Sequence, residues 1–279
     1  MKLSAFAHYP NLKVDGQLTV NSVSQAMRRA VACGVNGLEY SSSPVEELDV
    51  EDIQLGMRET GAKLSIIGSY YWVTGMGMNI ISEDEKVAER SIQTFLKALE
   101  IGAKIGTPVA IGQIRGNVPD TYKPVSYYED RLVETLRGIA AYAKKTGAAF
   151  TIEPENRFFL NWLNTSDDCA RIIDRVGYDG FQLTLDLKHM NVEEDIIRAL
   201  IVHRDITHNI HFIDADNTMF TRSRRFLDIE RIIQTLCAIQ FRGWLCIATS
   251  PLAGGSTKQD KDLADEAAYI REIIARFER

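Results

Sequence analysis

The chain has 279 residues, 45% hydrophobic and 25% charged, which is ordinary globular composition with enough material for one large core. A formal net charge of −6 and a pI near 5.5 leave no basic stripe with interleaved aromatics, which argues against nucleic acid as the main partner. The apolar part of the opening Met1 to His8 is too short for a signal peptide, and no run reaches the roughly 18 to 20 residues that span a bilayer. The expectation is a soluble cytoplasmic protein without a membrane partner.

From end to end, short apolar runs alternate with amphipathic stretches of helical period. Strands are expected over Leu3 to His8, Gly37 to Tyr40, Lys63 to Gly68, Pro108 to Gly112, Ala149 to Glu153, Phe181 to Asp186, Asn209 to Asp214 and Trp244 to Thr249. Helices are expected near Val23 to Cys33, Val45 to Thr60, Asp84 to Ile105, Tyr127 to Lys145, Ser166 to Val176, Val192 to Leu200, Ile229 to Gln240 and Asp260 to Phe277. Gly34, Gly61, Gly106, Gly147, Gly177 and Gly243 follow helical patterns, where a left-handed cap needs glycine. Ser82 with Glu85 and Thr165 with Asp168 have capping-box spacing.

Eight repeats of strand then helix point to a closed (β/α)8 TIM barrel, an α/β fold in which closure removes both sheet edges. The rival, an open doubly wound sheet, would carry a glycine-rich phosphate turn after an early strand; the first turn here reads His8-Tyr-Pro-Asn-Leu-Lys13. No Pro-, Gly- or Ser-rich linker divides the chain, so one domain over residues 1–279 is expected. Two long loops, Ser69 to Glu83 and Gln113 to Ser126, follow strands and are candidate lids. Cys33, Cys169, Cys237 and Cys246 have no paired spacing, which suits reduced thiols in a reducing compartment.

Three runs deliver ligand-type side chains. Glu153 ends the fifth in Thr151-Ile-Glu-Pro-Glu-Asn-Arg157, Asp186 ends the sixth, and His211 lies within the seventh. On adjacent barrel strands they converge at one mouth, and this oxygen and nitrogen set suits Mn, Mg or Zn. For each residue alone, a helix cap or an ion pair is the favoured account; the three in succession reverse that and favour a site.

The segments Ile152-Glu-Pro-Glu-Asn-Arg157, Asp186-Leu-Lys-His-Met-Asn-Val-Glu-Glu194 and His211-Phe-Ile-Asp-Ala-Asp-Asn217, with Gly106-Thr-Pro-Val-Ala-Ile-Gly112 upstream, resemble the xylose-isomerase-like sugar isomerase/epimerase superfamily over essentially the whole chain, its ketose 3-epimerase branch above all. The resemblance implies a divalent metal, Mn before Co, Mg or Zn, held by Glu153, Asp186 and His211. It implies Glu153 as a ligand that also moves a proton, and His189 as a catalytic and substrate-binding residue. It also implies a sugar or keto-sugar substrate and assembly into oligomers, with itself or with another subunit.

The family pattern breaks at three positions. Ala248 stands where a second glutamate should close the eighth run as ligand and acid/base group, Phe159 stands for a glutamate, and Asn217 for an arginine. Substitutes exist: Glu155 and Lys188 would share a side with Glu153 and Asp186 if the chain stays extended, Asp214 or Asp216 would supply a carboxylate, and Thr249 or water would fill the vacant position. Arg157, Glu155, Lys188, His189, Trp72 and Phe159 are the substrate-contact candidates, with aromatic faces from Phe158, Trp162, Tyr70 and Tyr71 as further possibilities against ordinary packing. Arg222, Arg224 and Arg225 form either an anion contact or a solvated loop. The expected activity is proton abstraction beside a carbonyl by a metal-dependent isomerase or epimerase. The alternatives are a C-glycoside deglycosidase-like lyase acting on 3-keto glycosides, or a non-catalytic sugar-binding or partner barrel. A DNA-repair endonuclease of the same superfamily would need more histidines and a basic groove.

Overall fold

A computed structural model describes residues 1–8, 22–41, 44–223, 225–248 and 257–278. Eight parallel strands close into a barrel in chain order, β1 (Lys2–His8), β2 (Gly37–Ser41), β3 (Lys63–Gly68), β4 (Val109–Ile111), β5 (Phe150–Ile152), β6 (Phe181–Asp186), β7 (Thr207–Phe212) and β8 (Trp244–Ile247). Closure is made by β1 against β8, with Lys2 beside Trp244 and Ala5 beside Ile247. The helices are α1 (Val23–Ala32), α2 (Val50–Thr60), α3 (Tyr70–Thr74), α4 (Glu85–Ile105), α5 (Val125–Thr146), α6 (Ser166–Val176), α7 (Leu187–Glu193), α8 (Ile196–Val202), α9 (Ile229–Ala238) and α10 (Thr257–Phe277). No described helix is long and apolar enough to cross a membrane.

The main core lies between strands and helices. Phe150 on β5 stacks on Phe181 of β6 with ring centroids 4.4 Å apart and meets Phe95 of α4 edge-on. Phe95 in turn meets Trp72 of α3, also edge-on. Burial of each such side chain stabilises the fold by roughly 1.5 to 3 kcal/mol. The barrel lumen differs in being largely polar: Ser4 and Ser65 share a hydrogen bond of 3.2 Å, Thr184 and Thr151 one of 2.9 Å, and all four are fully buried. Short hydroxyl residues fill the narrow lumen while pairing with each other, so they incur little desolvation penalty.

Several local expectations are corrected. The pattern from Val45 to Thr60 resolves into a 3-10 turn, Val45–Glu47, and α2, because Asp49 caps a new helix by accepting from Asp52 N. Likewise Val192 to Leu200 divides between α7 and α8, where the Asp195 side chain accepts from Arg198 N and starts the second helix. Asp84 rather than Ser82 caps α4, whereas Thr165 and Asp168 form the expected capping box. Gly61, Gly106, Gly147 and Gly177 are left-handed caps, but α9 ends through Gln240 at φ 55°. Gly243 serves close approach instead: a Cβ there would lie 2.5 Å from His208 O. All four cysteines are free thiols, three of them buried.

Candidate metal centre

Glu153 follows β5 directly, and its backbone continues the ladder by donating from N to Ile111 O at 3.2 Å. Asp186 ends β6 and caps α7: its Oδ1 accepts from Lys188 N at 2.7 Å and His189 N at 3.1 Å. One oxygen fixes the helix start, which leaves Oδ2 pointing elsewhere. His211 sits inside β7 in register with Asp186, and its Nδ1 lies 3.3 Å from Asp186 Oδ2 and 3.1 Å from Glu153 Oε1.

These three residues are buried, and one ligand atom from each lies within 4.8 Å of the others. One imidazole nitrogen with two carboxylate oxygens fits Mn, Co, Mg or Zn, and three protein ligands leave coordination positions for a substrate. Burial disfavours charge on His211, but Glu39, Glu153 and Asp186 outweigh it and hold the imidazole pKa well above its ordinary value. Burial also pushes Asp186 up, yet His189, His211 and Lys188 prevail and keep it well below the usual carboxylate range.

His189, on α7, is buried beside the trio. Asn156 N donates to its Nδ1 at 3.4 Å, and the Asn156 side chain approaches the same nitrogen at 2.8 Å. A backbone N–H can only donate, so Nδ1 accepts and the ring proton belongs on Nε2, which faces Asp186 Oδ2 at 4.0 Å. Phe159 covers this ring edge-on with centroids 5.2 Å apart and is about half exposed.

Glu155 is buried and accepts from Gln113 Nε2 at 2.8 Å. A Cβ built on Gly112 would stand 3.3 Å from Glu155 Oε1, so the Glu155 carboxylate packs closely on the bare Gly112 backbone, with Glu153 Oε2 in ordinary contact at 4.0 Å. Burial first, then the Glu153 charge, push the Glu155 carboxyl up to about 7 against the lowering effects of Arg115 and Gln113. Fully buried Arg115 donates to Gly112 O, Glu153 O and Leu163 O at 3.0, 2.7 and 3.3 Å, tying the ends of β4 and β5 together.

Other candidates find different places. Arg157 is mostly exposed and commits its guanidinium to Glu193 of α7, with Nε 2.9 Å from Oε1. Trp72 is fully buried in the packing beneath the loop after β3, so it offers no open ring face. Lys188 belongs to α7 rather than to an extended chain, because the Asp186 cap starts the helix there; its Nζ lies 5.3 Å over the Phe159 ring and 3.4 Å from Asn217 Oδ1. Asp214 is fully buried and spent on backbone: it accepts from Ala215, Phe226 and Leu227 N at 2.7, 3.0 and 3.0 Å. Asp216 accepts from Thr218. Arg222 pairs with Asp262, while Thr249, Arg224 and the turn after His8 lie outside the described residues.

Ala248 follows β8, two residues past Cys246, the register partner of His211. Period-two alternation puts it on the same side of the strand, facing the mouth with no ligand atom. The loops above are bound together: Trp162 Nε1 donates to Gly116 O at 2.7 Å, Asn161 N to Asn117 Oδ1 at 2.8 Å, and Val118 N to Asn161 Oδ1 at 2.9 Å.

Besides Arg115, the residue missed in the sequence is Glu39 of β2, 3% exposed. Its carboxylate accepts from Asn209 Nδ2 at 2.8 Å and sits 3.0 Å from His211 Nε2. An acid in the middle of an apolar central strand, Gly37-Leu-Glu-Tyr40, was the available signal, since a buried charge requires partners.

A closed parallel barrel with a buried nitrogen and oxygen trio at the carboxyl ends of β5, β6 and β7 defines a TIM barrel built around a possible metal site. The chain belongs to the xylose isomerase-like TIM barrel family, whose profile matches residues 27–273. It is 27% identical over 231 residues to the 3-dehydro-D-guloside 4-epimerase of Escherichia coli (strain K12), covering 80% of this chain and 86% of that protein. It is 26% identical over 251 residues to a probable ketose 3-epimerase of Synechocystis sp., covering 86% and 80%. Among solved structures, the apo 3-keto-D-glucoside 4-epimerase from E. coli superposes with a TM-score of 0.79 at 19% identity, over 98% of this chain and 99% of that one. The D-psicose 3-epimerase of Clostridium cellulolyticum H10 with D-tagatose gives the same TM-score, identity and coverage.

Proposed function

We propose that the protein is a divalent-metal-dependent sugar epimerase or isomerase acting by proton abstraction next to a carbonyl of a sugar or keto-sugar derivative. The observation that carries this reading is the convergence of Glu153, Asp186 and His211 from three consecutive strands, in a chain whose relatives are sugar epimerases. A bound divalent cation, Mn before Co, Mg or Zn, would supply polarisation of a carbonyl and its neighbouring hydroxyl.

The rest falls to the chain. Glu153 takes the proton from the carbon beside the carbonyl, leaving an enediolate, and delivers it to the neighbouring carbon, an isomerisation that one base can complete; epimerisation at the same carbon would need a second proton donor on the opposite face. His189, with its proton fixed on Nε2, donates to a substrate oxygen beside Asp186. Glu155, Lys188 and Phe159 remain our substrate-contact assignments, whereas Trp72 and Arg157 would act only by shaping the loops that carry them. We read the protein as cytoplasmic, which its free thiols support, and as an oligomer.

Ala248 favours two other readings, because no second carboxylate at β8 faces the first across the mouth. In the first the barrel is a C-glycoside deglycosidase-like lyase on 3-keto glycosides needing a single base; in the second it is a sugar-binding or partner barrel without turnover. Incubation of the Mn-loaded protein with keto sugars in D2O separates these. The enzyme reading expects solvent deuterium at the carbon beside the carbonyl, abolished in a folded Glu153→Ala variant. Full exchange in that variant would sink the assignment of Glu153, and sugar binding with no exchange in the native protein would favour the non-catalytic barrel.

A further inference from the structure

Glu39 and His211 are 172 positions apart and stand on strands that are not neighbours, since β1 and β8 lie between β2 and β7. Phe6 of β1 is the register partner of Glu39, and one step below it, level with His211, the intervening strands carry the small residues Ser4 on β1 and Cys246 on β8, which leave room for the reach across the lumen. Both oxygens of Glu39 sit 3.0 Å from His211 Nε2, and Asn209 Nδ2, one turn of the pleat below on β7, holds the same carboxylate at 2.8 Å. Glu39 Oε2 already accepts from Asn209 Nδ2, and the same carboxylate facing Nε2 at this distance is met as an acceptor when the His211 ring proton sits on Nε2. The other ring nitrogen then points at Glu153 Oε1 and Asp186 Oδ2, and Glu39 is not among the residues that converge there. Phe6 of β1 meets the imidazole edge-on at 6.3 Å and limits its swing.

We propose that Glu39, held by Asn209, is a positioning residue that fixes His211 with its proton on Nε2 and so presents Nδ1 to a divalent cation beside Glu153 and Asp186. Glu39 therefore does not replace the ligand missing at Ala248; it acts on the metal through the far side of an imidazole, and a carboxylate in that role raises the basicity of the ligand nitrogen. A polar carboxylate buried in the lumen is costly unless its oxygens are met by donors, and here Asn209 and His211 meet them. The proposal rests on the reading of the trio as a metal site.

The test uses the full chain and two readouts. Mn2+ affinity is measured by calorimetry at fixed pH for the native protein, Glu39→Gln and Glu39→Leu, with thermal unfolding of each metal-free form alongside. Glu39→Leu is expected to bind Mn2+ about 10- to 100-fold more weakly, and Glu39→Gln, whose amide oxygen still accepts from Nε2, to lose less. Independently, 15N NMR of the Zn2+-loaded native protein is expected to show His211 ligated through Nδ1 with a protonated Nε2. Ligation through Nε2, or native-like affinity in a folded Glu39→Leu variant, would overturn the proposal. If that variant does not fold, the NMR result and Glu39→Gln still decide. A native chain that binds neither ion overturns the metal reading as well, whereas native binding with an unaffected variant removes Glu39 alone.

Discussion

Asp186 Oδ2 lies 3.3 Å from His211 Nδ1 while its sister oxygen caps α7. Without a cation, that approach is favourable only when Nδ1 carries a proton, and the imidazole pKa is held well above 6.5. Cation binding must displace this proton, so one proton is released and affinity rises about tenfold per pH unit until the pH passes the His211 pKa. Calorimetric titration with Mn2+ in two buffers of unlike ionisation enthalpy reads the release directly; equal heats in both would contradict it.

Glu155 makes the metal-free protein sensitive to pH in the other direction. Its folded pKa, about 7, lies above its ordinary 4.5, so its contribution to stability is complete below about 4.5 and is lost as the pH rises to 7. Glu155→Gln is expected to flatten that decline and to be more stable at pH 7 by on the order of 3 kcal/mol. Urea unfolding of both metal-free proteins at pH 4.5 and pH 7 checks this, and an equal pH dependence in the two would refute it.

Arg115 connects three carbonyls and supplies positive charge beneath the carboxylates. Arg115→Ala leaves buried carbonyls unmet and removes a group that lowers the Glu155 pKa. A loss of about 3 to 5 kcal/mol in unfolding free energy is expected. Arg115→Lys, which keeps the charge but not the fork, should fall between the two; a lysine variant worse than alanine would show that geometry, not charge, is what matters.

Asp214 organises the loop after β7 by accepting from three backbone amides while fully buried. Asp214→Ala is expected to destabilise the protein by about 3 kcal/mol and to raise hydrogen exchange at Phe226 and Leu227. Unchanged protection at those two amides would mean that the loop is held elsewhere, for instance by Glu266, which accepts from Phe220 and Thr221 N.

The barrel is legible in the sequence because each strand and each long helix announces itself locally, and Glu153, Asp186 and His211 because each falls at or near a strand end; short α3 instead lies inside the expected loop Ser69 to Glu83. Boundaries failed where two short polar signals competed: Asp84 stands beside Ser82, and its side chain reaches Lys86 N first. Lys188 was misjudged because Asp186 is at once a site residue and a helix cap. Glu39 and Arg115 escaped for a different reason. Their partners are set by closure of the barrel and by loop packing, which no local periodicity encodes.

The bonds from Trp162 and Asn161 to Gly116, Asn117 and Val118 weld the segments after β4 and β5 into one panel. A Cβ on Gly116 would strike Asn79, which draws the segment after β3 into the same panel. Transplanting either of the first two segments from another barrel would leave the donors of the other facing strangers, and transplanting the third would remove the side chain packed against Gly116. Reshaping this mouth therefore means exchanging all three together.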